Sequence, residues 1–381
     1  MPEQPQLRRL VSRWLGRGRE QRPILPEPNS WAGRACNAYA AMVREFGHPD
    51  EAMFREHAPA VPIDRRYAYL WPFGQALAAT LDIAALPDAD TTTLARAEQL
   101  GKAFFAHYWD TASAPPGGTA YPIPPGGDKY YDDNIWVGLD LIDLWLASGD
   151  ERWRDDAARI VAFVTSAWDD DPRHPSPGGI FWAQPAANAT RDRNTVSNGP
   201  AAILALRLHA ATGDKQYLRW AERLFGWVEA TLRDPTDGLY WDHIKLDGTI
   251  ERTKWSYNQG TMLGAATLLG QATGNDRFLA RARAIADAAL ARYATGDRLW
   301  AQDPPFNAIF FRNLRLLGEV LDNHEWYRPA LAAYAARAWT TGRDPRTGLI
   351  GFGRRGRVEL LHQAAAVQLY ATLAGIGAED L

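Results

Sequence analysis

The sequence predicts an all-α fold, a single (α/α)6 toroid of six helical hairpins, because one pattern occurs three times along the chain. In each copy an apolar helical pattern stops at a glycine, and a second helical pattern begins after the Asp or Asn that follows. The glycines are Gly149, Gly213 and Gly274, which are 64 and then 61 residues apart (213 − 149 and 274 − 213). Such a glycine supplies a C-cap and the next residue an N-cap, so each copy is predicted to be a tight turn between two helices. Strand signals are weak throughout the sequence.

Around these turns the apolar periodicity predicts twelve helices in six pairs. The pairs are 31–47 with 67–84, 91–108 with 133–147, 151–168 with 198–211, 215–232 with 258–272, 276–293 with 307–321, and 326–340 with 358–375. Connections within a pair are long and rich in Gly, Pro, Asp and aromatic residues, whereas connections between pairs are short. In an alternating ring all long connections reach one face, where a binding site is expected. Four helices that follow long connections are predicted to open with an Asn N-cap, at Asn134, Asn198, Asn258 and Asn307.

The composition limits the classes of ligand and partner. The chain has 381 residues, of which 46% are hydrophobic, and the repeats assign residues 31–381 to one domain with a large core. With 42 basic and 45 acidic side chains the formal net charge is −3, which excludes a global attraction to nucleic acid and suits a neutral ligand. A single cysteine, Cys36, excludes an internal disulfide, and the 8 histidines show no ligand-type spacing. Neither a metal nor another cofactor is expected, and we expect a monomer.

Residues 1–30 are predicted to be a basic amphipathic extension. The apolar positions between Leu7 and Leu15 are interrupted by arginines, so no signal peptide or membrane span is predicted, and a cytoplasmic, bacterial protein is expected. Export by another route stays open. Residues 7–17 carry apolar side chains on one helical face and arginines elsewhere, which would allow contact with a membrane surface. Packing on the protein itself, or fraying, is the expected alternative for a terminal segment.

The strongest candidate for chemistry is the pair Asp132 and Asp133, which is framed by Tyr130, Tyr131 and Trp136. Aromatic neighbours partly desolvate two adjacent carboxyls, which separates their titrations and leaves one of them protonated near neutral pH. One acid and one base are the groups that cleavage of a glycosidic bond requires. The alternative is that both residues serve as helix caps and dipole partners. The run Asp169-Asp170-Asp171, by contrast, is predicted to be an ordinary solvated turn.

Two further long connections combine aromatic, amide and carboxylate side chains. One contains Gly178 to Trp182 and Arg193 to Gly199, and the other contains Gly238 to His243 and Lys254 to Gly260. Aromatic faces stack on sugar rings, and amides and carboxylates bind hydroxyl groups in pairs. Taken singly, each of these elements also fits capping or turn chemistry. Their predicted position on the face that carries Asp132 favours a sugar cleft.

With these motifs the sequence resembles glycoside hydrolase family 76, the endo-α-1,6-mannanases and related (α/α)6 enzymes, over about Trp71 to Tyr370. The resemblance lies in Tyr131-Asp132-Asp133-Asn134, Gly178-Gly179-Ile180, Asn194 to Gly199, Tyr257-Asn258-Gln259-Gly260 and Gln363-Ala364-Ala365-Ala366. It implies a retaining enzyme in which Asp132 is the nucleophile and Asp133 the acid/base. It also implies that an aspartate matching Asp242 binds the sugar next to the scissile bond. The expected substrate-binding residues are Tyr131, Asn134, Trp182, Asn194, Asn198, Asp242, Tyr257, Asn258 and Gln259.

The leading hypothesis is a retaining hydrolase of α-1,6-linked mannose in mannan or mannooligosaccharides. A transglycosylase of the same family, in which a sugar replaces water as acceptor, is not separable from it by sequence. Sugar 2-epimerases share the fold but use paired histidine bases, and here only His243 and His174 are candidates. A non-catalytic glycan-binding protein would gain little from two crowded carboxylates.

Overall fold

The computed structural model describes residues 27–87, 89–184, 191–354 and 356–377. Within these ranges the predicted all-α toroid is confirmed. Its twelve long helices are α1 Trp31–Phe46, α2 Leu70–Ala84, α3 Thr91–Ala103, α4 Tyr131–Ser148, α5 Glu151–Thr165, α6 Thr195–Thr212, α7 Lys215–Thr231, α8 Ser256–Thr273, α9 Asp276–Tyr293, α10 Pro304–Leu321, α11 Arg328–Thr341 and α12 Leu360–Gly375. The basic segment predicted at residues 7–17 lies outside the described residues.

The predicted helix ends agree with the structure to within three residues, if the π-helical turn Phe104–Tyr108 is counted with α3. One short helix that was not predicted, Arg298–Ala301, precedes α10. The predicted Asn N-caps are wrong, because the helices concerned begin two or three residues earlier. Asn134, Asn198, Asn258 and Asn307 therefore lie in the first turns of α4, α6, α8 and α10, where all four are buried.

The three tight turns have the predicted caps. Gly149, Gly213 and Gly274 have φ values of 74°, 75° and 67°, in the left-handed region that glycine adopts without a steric cost. The next residue in each turn accepts a hydrogen bond from the backbone of the following helix, which is the expected N-cap. These bonds are Arg152 N to Asp150, Gln216 N to Asp214, and Arg277 N to Asn275.

The six even-numbered helices form a closed inner ring in which each packs against its two neighbours, and α12 packs against α2 to complete it. The inner helices α6 and α12 are buried on nearly every side, whereas outer helices such as α5 and α7 bury one apolar stripe. The outer helix α1 packs mainly against α12, so the first and last helices meet. None of the described helices is long and apolar enough to cross a membrane.

Long connections all lie at the end of the ring where the inner helices begin, which we call the mouth. Several of them pair as two-residue strands, which are too short to give a sequence signal. The strands are β1 His57–Ala58, β2 Trp109–Asp110, β3 Gly117–Gly118, β4 Arg193–Asn194, β5 His243–Ile244, β6 Ile250–Glu251 and β7 Val358–Glu359. All pairs are antiparallel: β1 with β7, β2 with β3, and β5 between β4 and β6. The three-stranded sheet joins two connections that are distant in sequence.

Below the mouth, the axis of the inner ring holds a group of charged side chains that we call the floor cluster: Asp82, Asp140, Asp143, Arg207 and Arg312. Arg312 donates to Asp82 at 2.6 Å and lies 4.0 Å from Asp143, which also accepts from Arg207. Asp140 is only 4% exposed. Burial raises the pKa of Asp82 to about 6 and raises the pKa of Asp140 well above its usual range. The floor cluster closes the axis with ion pairs instead of apolar packing.

Candidate active site

The catalytic candidates Asp132 and Asp133 lie in the first turn of α4, at the mouth, where both are partly exposed. The backbone before them is held in place, because the Tyr131 N–H donates to the Trp182 carbonyl at 2.9 Å. A helix N-terminus favours a negative charge, and backbone N–H groups of this turn lower the pKa of Asp132. The capping chemistry considered for the pair is therefore present. It does not account for the burial of both carboxyls.

Asp132 is held by the indole of Trp182, whose Nε1 donates to Oδ2 at 3.1 Å. The other oxygen, Oδ1, is buried and has no hydrogen-bond partner within the described residues. Burial, together with the negative charge of Asp242, raises the pKa of Asp132 to about 7. This carboxyl is thus poised to ionise near neutral pH, with one oxygen left for another group.

Asp133 also favours its protonated form. Burial raises its pKa well above the usual range, and the charge of Asp132 adds to the rise. No lysine or arginine in the described part of the chain pairs with either carboxyl. Two close carboxyls share their titration, and the arrangement favours one ionised and one protonated group. An ionised Asp132 beside a protonated Asp133 supplies a nucleophile and a general acid.

A third carboxylate, Asp242, lies directly before β5. His243 Nδ1 donates to its Oδ2 at 2.9 Å, and Asn258 Nδ2 donates to its Oδ1 at 3.1 Å. Tyr257 lies within electrostatic reach of both Asp242 and Asp132, because their charges add to the effect of burial in raising the pKa of its hydroxyl. The mouth therefore brings together groups from α4, α8 and the three-stranded sheet.

Aromatic side chains line the mouth as a cluster separate from the main core. Trp136, Val196 and Ile309 form its centre, and Trp71, Leu139, Trp182 and Tyr257 pack against it. Tyr257 also stacks on Phe306 with ring centroids 4.0 Å apart and an interplanar angle of 5°. Phe306 in turn stacks on Trp71 at 6.0 Å. Sequence reasoning missed Trp71 and Phe306, although both stand in the first turn of an inner helix next to a long connection.

Several polar atoms at the mouth make no hydrogen bond within the described residues although they are buried. They are Trp71 Nε1, Asp132 Oδ1, Asn194 Oδ1, Ser197 Oγ and Asn258 Oδ1. Buried polar atoms are nearly always hydrogen-bonded in folded proteins, so such a group indicates a ligand or solvent partner. Donors, acceptors and aromatic faces at one opening are suited to a polyhydroxylated ligand. Ser197 was also missed as a site residue, since only its motif was recognised.

Three predicted substrate-binding residues have amides that hold the backbone of the long connections. Asn134 pairs with both the N–H and the carbonyl of Gly118, Asn198 pairs in the same way with Ile180, and Gln259 with Tyr240. All three are fully buried, as is Asn258, but among these four only Asn258 keeps an amide oxygen without a partner in the described residues. Gln363, in the fifth resembling motif, likewise accepts from Ile350 N and donates to the Ala38 carbonyl. These amides position the mouth and do not reach into it.

Tyr131 is also misassigned. Its ring is 4% exposed and stacks on Phe163 of α5 at 4.8 Å, on the side of α4 away from the axis. The predicted residues that the structure does bring to the mouth are Trp182, Asn194, Asp242, Tyr257 and Asn258. Asn194 reaches it through the pairing of β4 with β5, and its neighbour Thr195 donates to the Asp242 carbonyl at 2.8 Å.

The run Asp169-Asp170-Asp171 is not the solvated turn that was predicted. Asp169 is buried and forms an ion pair with Arg193 at 2.8 Å. His174 also bonds Asp169, at 2.9 Å, and approaches Asp171 at 3.8 Å. This acidic run anchors the connection between α5 and α6. Within the described residues, no group of three or more His, Cys, Asp or Glu side chains is placed to hold a metal ion.

An (α/α)6 toroid whose mouth holds two crowded carboxyls and an aromatic wall has the architecture of a glycoside hydrolase. The sequence model of Glycosyl hydrolase family 76 matches residues 32–372, and the chain belongs to this family. A curated relative, mannan endo-1,6-α-mannosidase DCW1 of Candida glabrata, is 34% identical over 117 residues, which are 29% of this chain and 26% of the relative. The chain matches between 26% and 63% of the length of the first four curated relatives.

Solved structures give the same result for the fold. A family 76 glycoside hydrolase from a bovine Bacteroides thetaiotaomicron strain has a TM-score of 0.81 and 25% identity, with 92% of this chain and 78% of that chain covered. An inactive variant of an α-1,6-mannanase of Salegentibacter, in complex with α-1,6-mannotriose, has a TM-score of 0.74 and 23% identity. It covers 91% of this chain and 100% of that chain.

Two expectations fail on these comparisons. The cytoplasmic location is wrong, because it is contradicted by the relatives DCW1 and DFG5, which are fungal cell-wall or secreted mannosidases. A bacterial source is not supported, because the curated relatives are fungal proteins.

Proposed function

We propose that this protein is a retaining glycoside hydrolase that cleaves α-1,6-mannosidic linkages in mannan or mannooligosaccharides. The observation that carries the proposal is the pair Asp132 and Asp133, two crowded carboxyls at the mouth with raised pKa values. No cation from the described residues pairs with them. Burying two such groups without a compensating charge is costly, and catalytic sites are where this cost is commonly found.

In the proposed reaction Asp133 gives its proton to the glycosidic oxygen while Asp132 attacks the anomeric carbon. The bond to the leaving sugar breaks, and the cleaved mannosyl unit becomes an ester of Asp132. A water molecule then attacks the same carbon and gives a proton to Asp133, and Asp132 leaves as a carboxylate. Two displacements return the original α configuration, which is the retaining outcome. The roles follow the family resemblance, and the raised pKa values of both carboxyls are consistent with a proton held by the pair.

The substrate part of the proposal rests on the chemistry of the mouth and on the relatives. Stacked aromatic faces and uncharged amides suit a neutral sugar, and Asp242 can accept bonds from a pair of hydroxyls. The relatives named above are mannan endo-1,6-α-mannosidases, and one solved structure holds α-1,6-mannotriose. We also propose that the enzyme acts as a monomer, with residues 31–381 as a single catalytic domain.

The test is hydrolysis of linear α-1,6-mannooligosaccharides, followed by proton NMR of the earliest product. We expect cleavage with α-configured product, and no cleavage of α-1,2-linked mannobiose. First-formed β product would contradict the retaining mechanism. Products longer than the substrate would indicate a transglycosylase, and binding without cleavage would indicate a non-catalytic glycan-binding protein.

A further inference from the structure

His243 lies between two aspartates at the mouth. Its Nδ1 donates to Asp242 Oδ2 at 2.9 Å, and its Nε2 lies 3.4 Å from Asp192 Oδ2. The imidazole is held in this position by the backbone, because His243 is in register with Asn194 of β4 on one side and with Glu251 of β6 on the other. The ring side chain is 16% exposed, so it is largely withdrawn from solvent.

This contact matters because the charge of Asp242 acts on the catalytic candidate Asp132. The other oxygen of Asp242, Oδ1, accepts from Asn258, so His243 and Asn258 together fix both oxygens of the carboxylate. The charge of Asp242 raises the pKa of Asp132. An uncompensated Asp242 would therefore oppose ionisation of Asp132. A cation on the opposite side of Asp242 reduces that effect.

The charged groups around His243 favour such a cation. Asp192 lies directly before β4, Asp242 directly before β5, and Glu251 in β6. All three raise the pKa of the imidazole against the effect of burial. In the protonated ring both nitrogens are donors, one toward each aspartate. Asp192 is connected to the catalytic pair as well, because its carbonyl accepts from the N–H of Trp182, whose indole holds Asp132.

We propose that His243 is a positioning residue of this enzyme, which fixes the Asp242 carboxylate toward the sugar and offsets its negative charge beside Asp132 and Asp133. Asp192 completes the arrangement by holding the far nitrogen of the ring. The inference rests on the proposed hydrolase function. His243 does not touch the reacting atoms, and it acts through Asp242.

The chain contains a matched control. His174 also lies between two aspartates, at 2.9 Å from Asp169 and 3.8 Å from Asp171, and its side chain is 22% exposed. Its partner Asp169 is paired with Arg193 and has no contact with the catalytic pair. A general effect of removing a histidine from an acidic loop would appear equally at both positions.

The experiment compares His243→Asn, His243→Phe and His174→Asn with the wild type, as pH profiles of kcat/KM on α-1,6-mannotetraose. The Asn amide can keep a donor near Nδ1 without the charge. His243→Asn is therefore expected to move the acid limb of the profile upward by about half a pH unit, because Asp132 becomes harder to ionise beside an uncompensated Asp242. His243→Phe also removes the donor, and a roughly 10- to 100-fold loss of kcat/KM is expected. His174→Asn should leave the limb where it is.

A second measurement needs no substrate. In nitrogen-15 NMR of histidine-labelled protein, the His243 ring should titrate above the usual histidine range, and Asp192→Asn should lower its midpoint. The inference about His243 is overturned if the wild type is active and His243→Asn does not move the acid limb, or if His174→Asn moves it equally. In that case the proposed function still stands. An inactive wild type would overturn the proposed function and this inference with it. Thermal unfolding checks whether His243→Phe is folded. If it is not folded, the pH profile of His243→Asn decides the test.

Discussion

The inner ring buries carboxyls at its mouth and at its floor, but only the floor supplies cations for them. Asp132 and Asp133 have no basic partner among the described residues, whereas Asp82 and Asp143 of the floor cluster pair with Arg312 and Arg207. Asp143, which pairs with Arg207, lies on the same helix as Asp132, about 16 Å further along it. One helix thus carries carboxyls in two different electrostatic settings.

The difference separates chemistry from structure. A buried carboxyl with an arginine partner mainly closes the axis of the ring, and its proton is of little further use. A crowded pair without a cation keeps a proton that can be given to a leaving group. Substitutions at the mouth should therefore change activity more than stability, and substitutions at the floor should do the reverse.

The largest expected effect is at the catalytic pair. Asp132→Asn and Asp133→Asn should each lower kcat by roughly a thousandfold or more, because one removes the nucleophile and the other the general acid. Both variants should fold. Because the folded pKa of Asp132 is raised to about 7, its carboxyl weakens the fold as pH rises from the usual Asp range toward 7, and Asp132→Asn should remove that loss. Initial rates and denaturant unfolding measure the two effects.

For this first prediction Asp140→Asn is the matched control, since it changes a buried carboxyl of the same helix away from the mouth. It should keep kcat close to that of the wild type. Near-native activity in either catalytic variant would remove the assignment of roles.

The adjacent residues Asn258 and Gln259 repeat the comparison within one turn of α8. Gln259→Ala leaves the N–H and carbonyl of Tyr240 unpaired in a buried position, and the free energy of unfolding should fall by about 2 kcal/mol. Asn258→Ala removes a donor to Asp242 together with an oxygen that has no partner in the described residues. Its kcat/KM should fall roughly tenfold or more, with little change in stability. If the two variants lose stability and kcat/KM to the same extent, the distinction between amides that hold the backbone and amides that bind the substrate is wrong.

At the floor, Arg312→Met leaves Asp82 without its closest cation. The free energy of unfolding should fall by about 2 kcal/mol, at the low end for a broken buried pair because the arginine side chain is 36% exposed. Activity per folded molecule should stay close to that of the wild type. Arg283→Ala, which breaks an exposed pair with Asp287, should change stability by less than about 0.5 kcal/mol. A loss of activity in Arg312→Met at full stability would contradict the assignment of the floor to structure.

The smallest expected effect is a gain of stability in Asp140→Asn. The raised pKa of Asp140 means that folding holds a proton that the unfolded chain releases above the usual Asp pKa. Its carboxyl therefore weakens the fold as pH rises, and an amide, which resembles the protonated form, does not. The free energy of unfolding should exceed that of the wild type at neutral pH and match it below pH of about 4. Urea unfolding at both values measures this difference, and a constant offset would be inconsistent with linkage to Asp140.

The fold was predictable because its signals are local. Each Gly followed by Asp or Asn ends one helix and begins the next regardless of what packs around it, so the turns at Gly149, Gly213 and Gly274 were placed correctly. The starts of α4, α6, α8 and α10 were placed two or three residues late. The true partners of Asn134 and Asn198 are Gly118 and Ile180, in connections 16 and 18 residues away, and sequence does not show that pairing.

The site was predictable where its residues lie together in the chain. Asp132 and Asp133 stand out by their own neighbours, but Tyr131 was assigned to the wrong side because the phase of the helix decides which residue of the first turn faces the axis. Trp71 and Phe306 were missed because they are far apart in sequence and stack on each other only when the ring is closed.

Closure of the ring by its two ends also constrains how the enzyme is made. Trp31 of α1 stacks on Tyr370 of α12, and β1 pairs with β7, so the earliest described helix finds its partner only when the last one has been synthesised. Contacts across more than 300 residues are slow to form, and they leave apolar surface open until they do. Asp132 and Asp133 emerge early from the ribosome but gain their full surroundings late. Until α12 is present, the surfaces of α1 and α2 that pack against it stay uncovered.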